Sequence, residues 1–449
     1  MGDQQVDSLL KWAGELKAAL TDFVLDAEGD LAIALEQFSA AQLSRSQQQD
    51  MHRRSLVVDR FLTEGTVNDT TPIDLFIQEH PDLSESDRAL LQSWHRSFVG
   101  LFEILQILND GFEVMNWTTA KHYVVKPTDS TKLAAMSRLK VGEIVLTQIA
   151  PVGEGVWMIF SPWTALGKLG KPKLAVAIGN FKQNYRQHLY SDAPDLLEEA
   201  WRSVERYNQD FVDFFGSDEV TLSGYQLGKR LTEFQEHLTQ KQLAAAGYDN
   251  PGSLQELAEQ AGASQEDVAA AAEALGADAE TVGKLFEKGS KTKMVAPKVE
   301  LPPDLKHAEQ VTALTHPRWG QMFLPTYTQF QQLLQAEDWT TVPNAEKLVR
   351  QYLEQPEINS FVWQRLAQQY PSQLEAILQT VLNRPDFKLE QDLDALLLQQ
   401  NKPLKPELPD IASAPLHLHN LFQEAVAEVS KEKSKGKSKP QKVGFGFRR

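Results

Sequence analysis

Apolar residues recur at helical spacing along most of this chain, and the rhythm breaks once, between about residues 100 and 163. Before the break, Leu9, Leu10, Trp12, Leu16, Leu20, Phe23 and Val24 follow the three-and-four spacing of one helix face, and Leu31, Leu35 and Phe38 resume it after Gly29. Leu56, Val57, Phe61 and Leu62 mark a second helix that Gly65 ends. Pro72 opens a short helix over 72–79, and Ser84, followed by Asp87, caps another that runs to about residue 99. Inside the break, strands are expected at 101–108, 112–117, 122–125, 141–149 and 156–160, with a short helix at 131–138. Asn109-Asp110-Gly111 reads as a hairpin turn in which glycine takes a positive φ. Five short strands in about sixty residues make a small curled antiparallel sheet or barrel. Trp157, Phe160 and Trp163 are expected to close its core.

Helical spacing returns over 174–190, 193–215 and 227–246. The fold class is therefore mainly α with a small antiparallel β insert, an α+β chain with helical blocks around a five-strand sheet or barrel and a disordered C-terminal tail. The segments read as an N-terminal helical region (1–99), a β-rich module (100–163), a helical region (164–250) and an Ala-rich helical hairpin module (251–289). A linker (290–304), a helical domain (305–400) anchored by Trp319, Trp339 and Trp363, a Pro-rich linker and helix (401–430) and the tail (431–449) complete the chain.

Charge divides the same way. The whole chain carries −16, but residues 431–449 hold eight Lys or Arg and one Glu, a net +7, which leaves −23 on the rest. An acidic body repels nucleic acid and anionic lipid; a basic arm attracts them. Lys435, Lys437, Lys439, Lys442, Phe445, Phe447, Arg448 and Arg449 are the candidate partner-binding residues, cations for an anionic surface and two aromatic handles. A protein partner is expected, with an anionic membrane surface or RNA reached through the tail. No apolar run approaches 18 residues, so no membrane span is expected and the location is read as cytoplasmic.

Catalytic and cofactor templates fail on inspection. There is no cysteine, hence no disulfide, thiolate metal site or cysteine nucleophile. Gly167-Lys168 and Gly170-Lys171 lack the spacing and the following Ser or Thr of a phosphate loop, and neither a dinucleotide fingerprint nor HExxH occurs. His417 and His419 are two apart on an expected helix, where their rings diverge. Residues 253–268 have helix-turn-helix spacing, but the recognition position reads Gln265-Glu266-Asp267, an acidic face unsuited to DNA. No cofactor, metal or small-molecule substrate is inferred.

Four segments carry a family resemblance: 139–145 with Ala150-Pro151, 173–181, 192–201 and 214–222. On these, the stretch from about Leu101 to Leu231 resembles an uncharacterised protein family of cyanobacteria and plant plastids, whose plastid members are associated with the inner envelope. The resemblance implies a cyanobacterial or plastid-type protein peripheral to a membrane, and brings no catalytic residues. The functional expectation is a non-enzymatic binding or assembly protein. One alternative is a hydrolase-type enzyme with a site built from distant histidines and carboxylates. Another is RNA or DNA binding through the tail.

Overall fold

A computed structural model describes residues 3–43, 51–128, 138–245 and 294–436. The chain forms two compact units, one of residues 1–196 with 417–449, the other of residues 197–416.

The first unit opens with α1 (Asp3–Leu25) and α2 (Asp30–Leu43). The break between them falls at Gly29, whose φ of +68° a side chain would resist. Then come α3 (Met51–Glu64), α4 (Pro72–Glu79) and α5 (Glu85–Ser93). Thr71 accepts from the amide of Asp74 to start α4, where Pro72 fits the first turn, and Ser84 and Asp87 form a reciprocal capping box on α5. These helices share one core: Leu10, Leu16 and Leu20 of α1 meet Phe61, Phe76, Leu91 and Trp94.

The β insert follows as β1 (Phe98–Ile107), β2 (Phe112–Asn116), β3 (His122–Lys126), β4 (Ile144–Gly153), β5 (Val156–Ile159) and β6 (Thr164–Gly167). The strand order β1-β2-β3-β5-β4 closes on itself through β4–β1 pairing, which makes a five-strand barrel, and β6 adds to β4. Every pairing is antiparallel except β3 with β5, which run parallel. The result is a small closed five-strand barrel of mixed sheet, an architecture that does not by itself indicate an activity. Its interior holds Phe98, Phe102, Tyr123 and Trp157 in edge-to-face contacts. The turn at 109–111 joins β1 to β2 as expected, but Gly111 has no positive φ. Its hydrogen is required because a Cβ there would sit 2.4 Å from the carbonyl oxygen of Val125. Trp157 and Phe160 are buried as expected, and Trp163 packs partly buried against the barrel core.

Helix α6 (Lys171–Asn184), a 3-10 turn at Arg186–His188 and the terminal helix α14 (Leu416–Gly436) complete this unit. Leu174, Ile178 and Phe181 of α6 and Leu418 and Leu421 of α14 bury against Val99, Leu101 and Ile144 on the barrel's outside. Helix α14 runs past residue 429, where the sequence pattern ends it, to Gly436.

The second unit contains α7 (Pro194–Phe215), whose first residues belong to the first unit, and α8 (Gly224–Ala245). Between them lies β7 (Glu219–Leu222). After β8 (Met294–Val295) come β9 (Val311–His316) and β10 (Gly320–Leu324), which form a sheet in the order β10-β9-β7. The expectation of helix throughout 305–400 is thus corrected at 311–324. Five helices follow, α9 (Tyr327–Gln335), α10 (Ala345–Glu354), α11 (Ser360–Gln369), α12 (Pro371–Val381) and α13 (Leu389–Gln399), and then β11 (Ala414–Pro415) on β8. Their core centres on Trp363, with Phe330 and Tyr352 stacked at 4.0 Å; Trp319 and Trp339 lie at its margin.

Candidate functional site

Among the described residues, titratable groups converge at several places; near the barrel, for instance, Arg96 and the Tyr123 hydroxyl both donate to Asp192, at 2.9 and 3.3 Å. In the first unit, α3 presents Arg60 and Glu64 to the 186–188 turn. Glu64 Oε1 receives Arg60 Nε at 3.0 Å and lies 2.9 Å from His188 Nε2, while Oε2 receives Arg60 Nη2 and Gln187 Nε2, each at 2.7 Å. Burial works to raise the acid's pKa, but His188 and Arg60 outweigh it and hold Glu64 down at about 2. The carboxylate is therefore ionised at any pH near neutrality, with no proton to give and too little basicity to take one. It pins the turn to α3. The neighbouring residue, Thr63, accepts from Gln148 Nε2 at 3.0 Å, and Ser97 accepts from the same nitrogen at 3.1 Å. Gln148 is wholly buried and its Oε1 has no partner. This polar layer ties α3 to β4.

In the second unit, Arg365 of α11 donates to both oxygens of Asp218 (2.7 and 3.2 Å) and to Glu219 at 3.1 Å. His316 at the end of β9 accepts the amides of Arg318 and Trp319 on Nδ1 at 3.1 and 3.2 Å, so its proton sits on Nε2, and its ring lies 4.3 Å from Phe361. Burial lowers the His316 pKa despite the nearby Asp218. Tyr327 is buried with its hydroxyl unpartnered, and burial pushes its pKa to about 12. A histidine beside a carboxylate is what a site of distant residues requires, but Asp218 commits both oxygens to Arg365 and Glu219 shares the same cation. Also in the second unit, Lys402 is buried and its Nζ donates to the carbonyls of Gln355 and Ile358, the latter at 2.7 Å, at the exit of α10. That ammonium closes a helix end.

The barrel offers an inside and a face. Inside is a cavity of about 20 Å³ lined by Phe102, Phe112, Val114, Val145, Ile149 and Trp163 among others. That is room for a single water with almost no polar partner, so it is a packing void. On the outside of β1–β3, Glu103 pairs across to Met115 and then His122, and Glu113 pairs to Val124. Glu113 also holds His122 at 3.1 Å. The carboxylates of Glu103 and Glu113 repel phosphate, and His122 is taken up by Glu113, so this face is a poor nucleic-acid platform.

Helix α14 differs from all of these. Its first turn is fastened to the barrel: His417 Nε2 donates to the Trp117 carbonyl at 2.7 Å, across 300 residues of sequence. Glu424 bridges to Lys171 of α6 at 2.8 Å, and Leu418, Leu421 and Ala425 are buried. Burial lowers the pKa of both His417 and His419. The adjoining stripe faces solvent, with Phe422 39% exposed, Val426 65% and Val429 39%. The apolar arc of the helix is thus wider than the groove that receives it.

The candidates taken from the sequence fall mostly elsewhere. Lys435 lies in the last turn of α14. Lys437, Lys439, Lys442, Phe445, Phe447, Arg448 and Arg449 lie outside the described residues, as do the Ala-rich module at 251–289 and the helix at 131–138 except for its last residue. His417 and His419 are on a helix as expected, and no group of three or more residues able to hold a metal ion occurs among the described residues. Nor, among them, is any helix long and apolar enough to cross a membrane. The Glu64 network and the α14 stripe were missed. The stripe has a signal, since 422, 426 and 429 keep helical spacing beside 418, 421 and 425. No protein-family model, curated protein or solved structure matches this chain.

Proposed function

We propose that this chain is a non-enzymatic binding or assembly protein, and that α14 is where it receives a protein partner. The observation that carries the reading is the exposed stripe Phe422, Val426 and Val429 on a helix already anchored by its neighbouring face. An aromatic and two β-branched residues at i, i+4 and i+7 are the anchors of helix-in-groove recognition. The helix does not have to fold on binding, so ordering entropy is already spent. The convergent acid–base sets support the same reading, because their carboxylates are committed to structural cations.

Phe422→Asp and Val426→Asp each put a carboxylate in the stripe and leave Leu418 and Leu421 in place. A partner captured from the native host by the wild-type protein is expected to fall at least tenfold with each variant at unchanged Tm. Capture undiminished by both substitutions refutes the assignment of α14.

A further inference from the structure

We propose that β6 is a second docking edge, where an acidic, extended segment of a protein partner adds to the sheet as a further strand. The inference goes beyond the reading of α14 and uses other residues.

The barrel closes through β4–β1 pairing and leaves β6 outside the ring. On one side β6 pairs with β4, Ile144 with Gly167, Val145 with Ala165 and Leu146 with Thr164. On its other side no strand pairs with it among the described residues. Thr164, Ala165 and Leu166 are all exposed. An edge of this kind presents backbone N–H and C=O groups to whatever extended chain can meet them.

Charge selects the occupant. Lys140, Lys168 and Lys173 are exposed, and no ion pair engages them among the described residues. Lys171, by contrast, is held by Glu424 at 2.8 Å. The 140–143 turn closes on itself: the Glu143 amide donates to the Lys140 carbonyl at 3.0 Å, and the Lys140 amide donates to Glu143 Oε2 at 3.2 Å. Lys168 lies against that turn, since a Cβ on Gly142 would stand 3.6 Å from its Cε. Ile144, just after the turn, is the residue paired with Gly167, so the turn and Lys168 flank the same end of β6. Beside the cations, Val141 is 48% exposed and Leu166 38%.

The complement is an extended segment that alternates aliphatic and acidic side chains. Its main chain completes the sheet, and its side chains set register and specificity. The β6 strand of a second copy reads Thr-Ala-Leu-Gly and brings no acid to compensate the lysines, which are the residues that keep sheet edges from pairing with their own kind. Nucleic acid offers phosphate to the lysines but no row of amides to extend the sheet.

The test uses the full-length protein and a short capped, fluorescent peptide that alternates valine with glutamate. Its twin, N-methylated at every backbone amide, has the same charge and cannot donate to a strand. The first peptide is expected to bind at least tenfold more tightly than the twin and to slow hydrogen exchange at residues 164–167. Lys140→Glu with Lys168→Glu should weaken it at least tenfold at unchanged Tm, and a peptide alternating valine with lysine should restore binding to that double variant. Equal binding of the twin, or unchanged exchange at 164–167, overturns strand addition. Indifference to the charge reversal overturns the acidic partner. A dimer in sedimentation that Leu166→Lys dissolves would make a second copy the occupant and overturn it as well. Phe422→Asp is expected to leave peptide binding unchanged, so this proposal and the α14 reading fail separately; loss of binding in that variant would place the peptide on α14 instead.

Discussion

Glu64 is one residue through which pH acts on the first unit. Its folded pKa of about 2 lies below the ordinary 4.5, so in the unfolded chain the acid takes up a proton first as pH falls. The stabilisation is complete above about pH 4.5 and is lost as pH drops toward 2. A difference of roughly 2.5 units corresponds to about 3 kcal/mol. Glu64→Gln is expected to lower the stability of the first unit by about 3 kcal/mol at pH 7, since it leaves Arg60 and His188 buried against a neutral amide. It should also flatten the loss between pH 4.5 and 2. Urea midpoints at pH 7 and pH 3 check both, and a variant with an unchanged acid slope would show that another carboxylate governs it. None of this was legible in the sequence. Glu64 and His188 stand 124 positions apart, and ordinary helix residues surround each, so nothing local announces the pair.

At the scale of elements, legibility follows the physics of each segment. The barrel strands could be read because β2 and β3 alternate buried and partly exposed residues and a turn sequence separates β1 from β2. β9 could not, because Val311 to Thr315 are buried without alternation, and such a run resembles any buried segment. Helix α14 overran its expected end because Lys431, Glu432 and Lys433 are good helix formers despite their charge. The hairpin at 109–111 was placed correctly for a reason that proved different, and the difference can be tested. Since Gly111 has ordinary φ but faces the Val125 carbonyl at 2.4 Å from an added Cβ, Gly111→Ala is expected to push β2 from β3 and cost about 1–3 kcal/mol. Gly155, at φ +71° with open space around its added Cβ, is the contrasting case, where Gly155→Asn should be tolerated better than Gly155→Ala. Thermal melts of the three variants decide it, and a neutral Gly111→Ala would remove the close-approach argument.

For the whole molecule, the order of the chain and the order of the cores do not coincide. The first unit is built from residues 1–196 and then, after 220 residues given to the second unit, from α14. Leu418 and Leu421 complete the core that Leu174, Ile178, Phe181, Val99 and Leu101 begin, so the first unit should be incomplete without its last helix. Burial of two leucines is worth about 3–6 kcal/mol, comparable to the whole stability of a marginal domain. A fragment of residues 1–196 is therefore expected to unfold at low urea or to bind apolar dye in its absence. A peptide of residues 416–436 added in trans should raise its midpoint, through mass action on a site that exists only in the folded state. Residues 197–416 carry their own core around Trp363, Phe330 and Tyr352 and should melt cooperatively as an isolated fragment. The wild-type peptide and one carrying Leu418→Asp and Leu421→Asp separate anchoring from charge: only the first should rescue. If the 1–196 fragment is as stable alone as with the peptide, α14 is not part of that core. Its exposed stripe would then belong to a helix with no fixed seat, and a docking surface prepared by its own anchorage would no longer be a tenable description.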